Sequence, residues 1–185
     1  MSNQSTMSRM AQHKDHRGEA VQVGPFTIML GGTMYLQPED LREADVLIPL
    51  TETGLTFGQV YQVTGPASLP KMPKLEKGRE YCILAAPLVD FGSVPTNWEG
   101  FLREDVIPLL AEGKKVLAFC AGSHGRTGTL LASLIALLEP DTADPIAAAR
   151  QRHCKAAVET EAQARAVFAL RAEELPEHYH RRLHC

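Results

Sequence analysis

A cysteine and an arginine are spaced in this chain so that they could carry out chemistry on a phosphate. Cys120 ends an apolar run, and Arg126 follows after five small or polar residues, two of them glycines. Successive backbone N–H groups in such a turn can converge on an anion, and the N-terminus of a following helix adds partial positive charge. An arginine fork binds two phosphate oxygens at once. The segment from Cys120 to Arg126 therefore predicts a phosphate-binding loop.

The cysteine of this loop is expected to act as a nucleophile. The donors that would bind the phosphate would also stabilise a thiolate, and this thiolate could attack the phosphorus atom of a phosphate bound in the loop. Serine in place of Cys120 would lose nucleophilicity at neutral pH, and lysine in place of Arg126 would lose the bidentate geometry. We expect Gly122 and Gly125 to permit positive φ and close backbone approach. The predicted phosphate-binding residues are Ala121, Gly122, Ser123, His124, Gly125 and Arg126.

A nucleotide-binding P-loop is the competing interpretation of this segment. Gly125, Arg126 and Thr127 imitate the Gly-Lys-Ser/Thr end of that motif. The motif has four residues between its glycines, whereas two residues separate Gly122 from Gly125, and its lysine is missing. The spacing therefore favours an anion cradle with a thiol at its base.

The sequence pattern around this loop predicts an α/β fold. We expect a single domain with a central, mostly parallel β-sheet flanked by helices. Continuous apolar runs, typical of buried parallel strands, cover residues 26–30, 44–50, 81–88 and 115–120. Helical patterns cover residues 38–44, 96–113, 127–138, a segment that begins at 144, and 160–174. Residues 51–79 are rich in glycine and proline and receive no assignment. We expect a disordered tail over residues 1–20 and a catalytic domain over residues 21–185.

Composition and charge narrow the class of protein. With 185 residues, 44% of them hydrophobic, the chain can bury a core of its own, and its net charge of −3 disfavours nucleic acid and anionic membranes as partners. The four cysteines have no metal-ligand spacing, so neither a metal site nor a cofactor is predicted. The polar N-terminal segment lacks the apolar core of a signal peptide, and no apolar run reaches the roughly 18 residues of a membrane span. We expect a cytoplasmic protein with free thiols.

The run Cys120-Ala-Gly-Ser-His-Gly-Arg126-Thr127-Gly128 resembles the Cys-x5-Arg signature of the cysteine-dependent protein tyrosine and dual-specificity phosphatases, in their compact type. The resemblance implies a protein-tyrosine-phosphatase-like fold and hydrolysis of phosphoric monoesters, without a metal, through a phosphocysteine intermediate on Cys120. It also implies that the Thr127 hydroxyl eases departure of the thiolate in the second step. Phe119 stands where the family usually has a histidine.

The same resemblance extends to a proton donor and a water-orienting residue. Residues 87–101 resemble the general-acid loop of the family, which makes Asp90 the acid of the first step and the base of the second. A loop carboxylate that caps a turn is the alternative for Asp90. Residues 150–170 resemble the helix that carries a glutamine near the active site, so Gln163 would orient the hydrolytic water. Thr160-x-x-Gln163 is equally a capping box.

The substrate class stays open at this point. A phosphorylated protein or a small phosphoester is favoured, because the loop lacks the lysines common in phosphoinositide phosphatases and no basic groove favours an RNA 5′-triphosphate. From a different class, the chain could be a phosphate- or phosphoprotein-binding module without hydrolysis, although such a module does not need Asp90 as an acid. Cys82 lies on the strand before Asp90, and if that strand neighboured the strand of Cys120, the two thiols could form a disulfide; a buried free thiol is favoured.

Overall fold

Six β-strands form one sheet in the computed structural model, which describes residues 15–180. In chain order the strands are β1 (Arg17–Val23), β2 (Phe26–Gly32), β3 (Val46–Pro49), β4 (Val60–Thr64), β5 (Glu80–Leu84) and β6 (Val116–Cys120). Their order across the sheet is β1-β2-β6-β3-β5-β4. The four central strands are parallel, and each edge strand is antiparallel to its neighbour. The predicted α/β fold with a mostly parallel central sheet is confirmed.

Helical segments connect and cover these strands. They are α1 (Pro38–Arg42), α2 (Trp98–Gly100), α3 (Ile107–Ala111), α4 (Gly125–Leu138), α5 (Pro145–Arg152) and α6 (Glu161–Ala169). A π-helical segment, Phe101–Val106, joins α2 to α3, so the helix predicted over residues 96–113 is interrupted. Pro108 follows this segment and has no N–H to donate to the helical ladder. Asn97 is the N-cap of α2, and its side chain makes no capping hydrogen bond.

The two edge strands are absent from the sequence prediction. β1 pairs with β2 from Arg17 to Val23, so the prediction of disorder is wrong for residues 17–20, and residues 1–14 of that segment lie outside the described residues. β4 lies within the unassigned residues 51–79. Both strands alternate exposed with more buried residues, because only one face of an edge strand packs on the core. A search for continuous apolar runs finds the central strands and misses these two.

The two faces of the sheet bury separate apolar clusters. Leu47, Leu117 and Phe119 point to the face covered by α1, whereas Ala118 and Cys120 pack on the opposite face, where α4 lies. Successive side chains of a strand point to opposite faces, so Phe119 and Cys120 must separate in this way. α4 is buried along most of its length. The thiol therefore leaves the sheet on the side of its most buried helix.

The order of the strands shows that Cys82 and Cys120 do not lie on neighbouring strands. β3 lies between β5, which carries Cys82, and β6, which carries Cys120. Two strand spacings of about 4.8 Å separate their backbones, and a disulfide requires Cα atoms within about 7 Å. Cys82 instead lies opposite Gln62 of β4, and both thiols are free. The alternative of a disulfide between Cys82 and Cys120 is therefore excluded, and the favoured free thiol is found, although Cys82 is only partly buried.

Candidate active site

The predicted phosphate-binding loop, residues 120–126, leads from the carboxyl end of β6 into α4. Cys120 is buried at the end of the strand, and the helix begins at Gly125, so the first N–H groups of α4 face the loop. The chain after β2 supports the loop, since Thr33 N–H donates to the carbonyl of Cys120 at 2.8 Å and Met34 N–H donates to that of Ala121 at 3.3 Å. The strand, loop and helix thus form one unit around the thiol.

The loop glycines are needed for close approach and not for positive φ. The positive φ in the loop, 65°, belongs to Ser123, so the expectation for Gly122 and Gly125 is wrong in this respect. A Cβ on Gly122 would lie 3.0 Å from the His124 ring, and one on Gly125 would lie 2.2 Å from a carboxylate oxygen of Glu159. A larger residue at either position would therefore require a neighbouring side chain, His124 or Glu159, to shift.

A histidine from outside the loop stabilises the unusual conformation of Ser123. His153 Nε2 lies 2.7 Å from the Ser123 carbonyl oxygen and 3.1 Å from its hydroxyl. A left-handed conformation is costly for a residue other than glycine unless its surroundings hold it. These two contacts, one with the backbone and one with the side chain of Ser123, help to hold serine in the conformation expected of glycine.

Arg126 and Asp90 meet in front of the loop. Arg126 lies in the first turn of α4 with only 6% of its side chain exposed. Its Nη1 donates to the carbonyl of Leu88 at 3.4 Å, and its Nη2 lies 3.2 Å from Oδ1 of Asp90. The structure thus places the predicted proton donor in contact with the predicted phosphate ligand.

Asp90 belongs to the segment of residues 87–97, which is exposed around Asp90 and which we call the acid loop after the role predicted for this residue. The Asp90 side chain is 58% exposed, and the flanking Val89 and Phe91 are 67% and 60% exposed. Gly92 N–H donates to the Val89 carbonyl at 3.0 Å, which forms a tight turn, and Phe91 has a φ of 56°. Asp90 is therefore carried on a turn that projects from the body of the protein.

A cavity of about 140 Å³ lies between the acid loop and the phosphate-binding loop. Its lining includes Cys120, Arg126, Asp90, Phe91 and Glu159. Sites for drug-sized ligands are commonly about 300–1,000 Å³. This cavity is thus large enough for a phosphate group but leaves most of a phosphorylated molecule outside.

Glu159 is a cavity residue that sequence analysis missed. Burial and the charge of Asp90 raise the pKa of its carboxyl, while a backbone hydrogen bond from Gly125 and the charge of Arg126 oppose that rise. An ionised carboxylate here repels an incoming phosphate. Glu159 has no motif of its own, and the one available signal is its position directly before the predicted capping box at Thr160.

Comparison with known proteins places this geometry in a known fold. No protein family model matches the chain. Two relatives from Methanocaldococcus jannaschii, the uncharacterized proteins MJ0215 and MJECL20, are 41% and 40% identical over 81 residues, which is 43% of this chain. Those residues are 49% of the first relative and 53% of the second, so the chain spans about half the length of the curated relatives it matches.

Solved structures cover much more of the chain. The active form of Tk-PTP is similar to it with a TM-score of 0.56 and 21% identity, over 84% of this chain and 97% of that one. A kinase associated phosphatase whose catalytic site cysteine is replaced by serine gives 0.58 and 14%, over 86% and 97%. The protein tyrosine phosphatase TbPTP1 of Trypanosoma brucei gives 0.57 and 16%, over 86% and 73%. The chain has the protein tyrosine phosphatase fold.

Within this phosphatase fold, Gln163 forms the capping box that its sequence context allows, and its side-chain amide also lies near the phosphate-binding loop. Its Oε1 accepts from the N–H groups of Glu159 and Thr160, and its own N–H donates to the Thr160 hydroxyl, so the capping box is confirmed. Its Nε2 is buried with no hydrogen-bond partner among residues 15–180. A Cβ on Gly125 would lie 3.1 Å from this nitrogen, which places the spare donor beside the phosphate-binding loop.

Thr127 lies one residue beyond Arg126, in the first turn of α4. Its hydroxyl is buried and makes no hydrogen bond within the part of the chain that the structure describes. A buried hydroxyl without a partner is uncommon in folded proteins and calls for an explanation, such as a catalytic role.

No helix among the described residues of this phosphatase fold is long and apolar enough to cross a membrane.

Phe119, which stands where the resembling family usually has a histidine, is fully buried in the apolar cluster under α1. It points away from the cavity, so its aromatic ring contributes packing rather than a polar contact to the thiol.

Proposed function

We propose that the chain is a cysteine-dependent phosphoric monoester hydrolase that acts through a phosphocysteine intermediate. One observation carries the proposal: Cys120, Arg126 and Asp90 line the same small cavity although Asp90 is distant from the others in sequence. A nucleophile, a bidentate cation and a proton carrier are the parts that such a reaction requires. The similar solved structures are named as phosphatases, and one name refers to a catalytic site cysteine, which supports the same assignment.

In the first step, the Cys120 thiolate attacks phosphorus, so that a sulfur–phosphorus bond forms and the bond to the leaving oxygen breaks. Arg126 and the loop N–H groups bind the phosphoryl oxygens, whose charge they stabilise in the transition state. Asp90 gives its proton to the leaving oxygen. Because Asp90 contacts Arg126 at 3.2 Å, the bound phosphate has to take over the guanidinium and release the carboxyl for this transfer.

In the second step, water attacks phosphorus and the sulfur–phosphorus bond breaks. Asp90, now ionised, accepts a proton from the water, and the spare Nε2 of Gln163 orients the water beside Gly125. The Thr127 hydroxyl donates to the departing sulfur. These residues account for every proton and electron pair that moves, so the proposed reaction needs no cofactor.

The cavity favours substrates that insert only their phosphate. A phosphorylated protein or a small phosphoester fits this description, since about 140 Å³ is well below the volume of sites that enclose a whole drug-sized molecule. Phe91 is exposed beside Asp90 and offers an aromatic surface at the rim. Aryl phosphates can stack on such a ring and are the first substrates to try.

The test is hydrolysis of p-nitrophenyl phosphate from about pH 5 to about pH 8 with EDTA present. The wild type should give a bell-shaped rate profile, because one group must be ionised and another protonated. Cys120→Ser should abolish turnover, whereas Cys82→Ser, a matched change on β5, should not. Turnover that survives Cys120→Ser would contradict the proposal. Inorganic phosphate binding without any wild-type turnover would instead favour a binding module.

A further inference from the structure

Three side chains from distant parts of the sequence meet beside the phosphate-binding loop. His16 precedes β1, His124 is the residue before α4, and Cys154 follows α5. One ligand atom from each lies within 4.8 Å of the other two. Nδ1 of His124 and Sγ of Cys154 are 3.2 Å apart. The fold thus brings two imidazoles and a thiol to one point.

The separations suit a tetrahedral metal ion. Zinc binds histidine nitrogen at about 2.0–2.1 Å and cysteine sulfur at about 2.3 Å, which puts neighbouring ligand atoms about 3.4–3.6 Å apart in a tetrahedron. The distance between His124 and Cys154 is close to that value. The 4.8 Å limit for the whole set requires only small side-chain shifts to close around an ion.

The environment of His16 supplies an independent indication. His16 is almost fully buried, and its Nδ1 lies 3.2 and 3.3 Å from the two carboxylate oxygens of Glu19. Its Nε2 is buried and has no hydrogen-bond partner within residues 15–180. When a carboxylate accepts the proton of one ring nitrogen, the other nitrogen keeps its lone pair, and metal-ligating histidines are commonly oriented in this way. The orphaned Nε2 of His16 therefore matches a metal ligand.

We propose that His16, His124 and Cys154 bind a divalent transition-metal ion of the zinc class, with Glu19 as the outer partner of His16. Thiolate and imidazole ligands together favour zinc over magnesium or calcium, which prefer oxygen. Three protein ligands leave a fourth position for water. Because His124 also lines the cavity, an ion here would tie the phosphate-binding loop to β1 and to the end of α5.

A second set of side chains meets the same distance criterion and must be separated from the first. His16, Glu19 and His153 also have ligand atoms within 4.8 Å of one another. This set contains no thiol, and His153 Nε2 already contacts the Ser123 carbonyl at 2.7 Å. A metal that reports on the presence of sulfur in its coordination sphere therefore distinguishes the two sets.

The test is a Co²⁺ titration of the full chain carrying Cys120→Ser and Cys185→Ser, which removes the nucleophile and the terminal thiol. One equivalent should bind, with a thiolate-to-cobalt charge-transfer band and the intense visible bands of tetrahedral cobalt, and Zn²⁺ should displace it. Cys154→Ser should abolish the charge-transfer band, and Cys82→Ser should leave it unchanged. Glu19→Gln should weaken binding about 10- to 100-fold. A band that survives Cys154→Ser, or the absence of stoichiometric binding, would overturn the proposal.

Alkylation of the unmutated chain tests the site even if the variants fail to fold. Zn²⁺ should protect Cys154 from a thiol reagent, as measured by mass spectrometry of its peptide, while Cys82 keeps its reactivity. Equal modification of Cys154 with and without the ion would contradict the proposal. Because neither experiment measures turnover, the metal site can fail while the phosphatase assignment stands, and the reverse is also true.

Discussion

The phosphate-binding loop and the acid loop face each other across one cavity but are supported differently. The first lies between a buried strand and a buried helix, and only 6% of the Arg126 side chain is exposed. The second carries Asp90, Val89 and Phe91, each more than half exposed. Fixed donors stabilise charge without reorganising during the reaction. A proton carrier has to change partners, from Arg126 to a leaving oxygen and then to water, and the acid loop leaves it free of the core to do so.

Removing Arg126 from the phosphate-binding loop should have the largest effect on catalysis. Arg126→Ala should lower kcat/KM for p-nitrophenyl phosphate about a thousandfold, the upper range for loss of one preorganised oxyanion donor. Arg126→Lys should recover little, because an ammonium cannot form the bidentate contact. Arg103→Ala is the matched control, since Arg103 is exposed and pairs with Glu99. A loss below about tenfold in Arg126→Ala would remove the distinction between the two loops.

Replacing Asp90 in the acid loop should lower the rate less than replacing Arg126, and by an amount that depends on the substrate. Asp90→Asn should lower kcat about a hundredfold for an alkyl phosphate, whose leaving oxygen needs a proton, and less for p-nitrophenyl phosphate. Asp141→Asn, at an exposed turn, serves as control. Equal losses for both substrates would mean that Asp90 positions Arg126 rather than transferring a proton.

Packing behind the phosphate-binding loop can be tested through stability. A Cβ on Gly128 of α4 would lie 2.7 Å from backbone atoms of Ala157 and Val158, which cannot move as a side chain can. Gly128→Ala should therefore lower the free energy of unfolding by about 1–3 kcal/mol. A Cβ on Gly100 would have no neighbour within 4 Å among residues 15–180. Gly100→Ala should therefore leave the free energy of unfolding unchanged or raise it by up to about 1 kcal/mol. Urea unfolding measures both, and equal changes would contradict tight packing of α4.

Glu159 lines the cavity between the phosphate-binding loop and the acid loop, and its replacement should have the smallest effect, a change in phosphate affinity. Glu159→Gln should tighten binding of inorganic phosphate to the Cys120→Ser protein about fivefold near neutral pH, which corresponds to roughly 1 kcal/mol of charge repulsion. Since burial raises the pKa of this carboxyl, the wild type should approach the variant as pH falls and Glu159 takes up its proton.

Calorimetric titration across pH measures this difference. Glu161→Gln, an exposed carboxylate paired with Arg165, is the control and should not change phosphate affinity. An advantage of Glu159→Gln that is independent of pH would exclude ionisation of Glu159 as its cause.

The sequence predicts the parts of the fold that are buried on both sides. β2, β3, β5 and β6 correspond to continuous apolar runs, because both faces of each strand meet a packed layer. β1 and β4 face the core on one side only, and their assignment depends on pairing with a neighbour elsewhere in the chain. The order of the strands is likewise a long-range property, so the position of β3 between Cys82 and Cys120 could not be read from either segment.

The residues of the candidate site and of the cluster beside it likewise differ in whether a local sequence pattern or long-range packing places them. Cys120, Arg126 and Thr127 occur in one contiguous run, and Asp90 follows a predicted strand, so local pattern was enough to select them. Glu159 and His16 reach the site through the packing of α6 and β1, which no local spacing records. The conformation of Ser123 depends on His153, and for this reason the left-handed residue could not be chosen correctly from the loop alone.

Direct detection of the covalent intermediate tests the central claim. The wild type, mixed with p-nitrophenyl phosphate and quenched with denaturant during turnover, should carry one phosphoryl group on the peptide that contains Cys120, and fragmentation should place it on sulfur. Cys120→Ser should carry none. A phosphoryl group on His124, or turnover without any phosphorylated peptide, would contradict catalysis through a phosphocysteine.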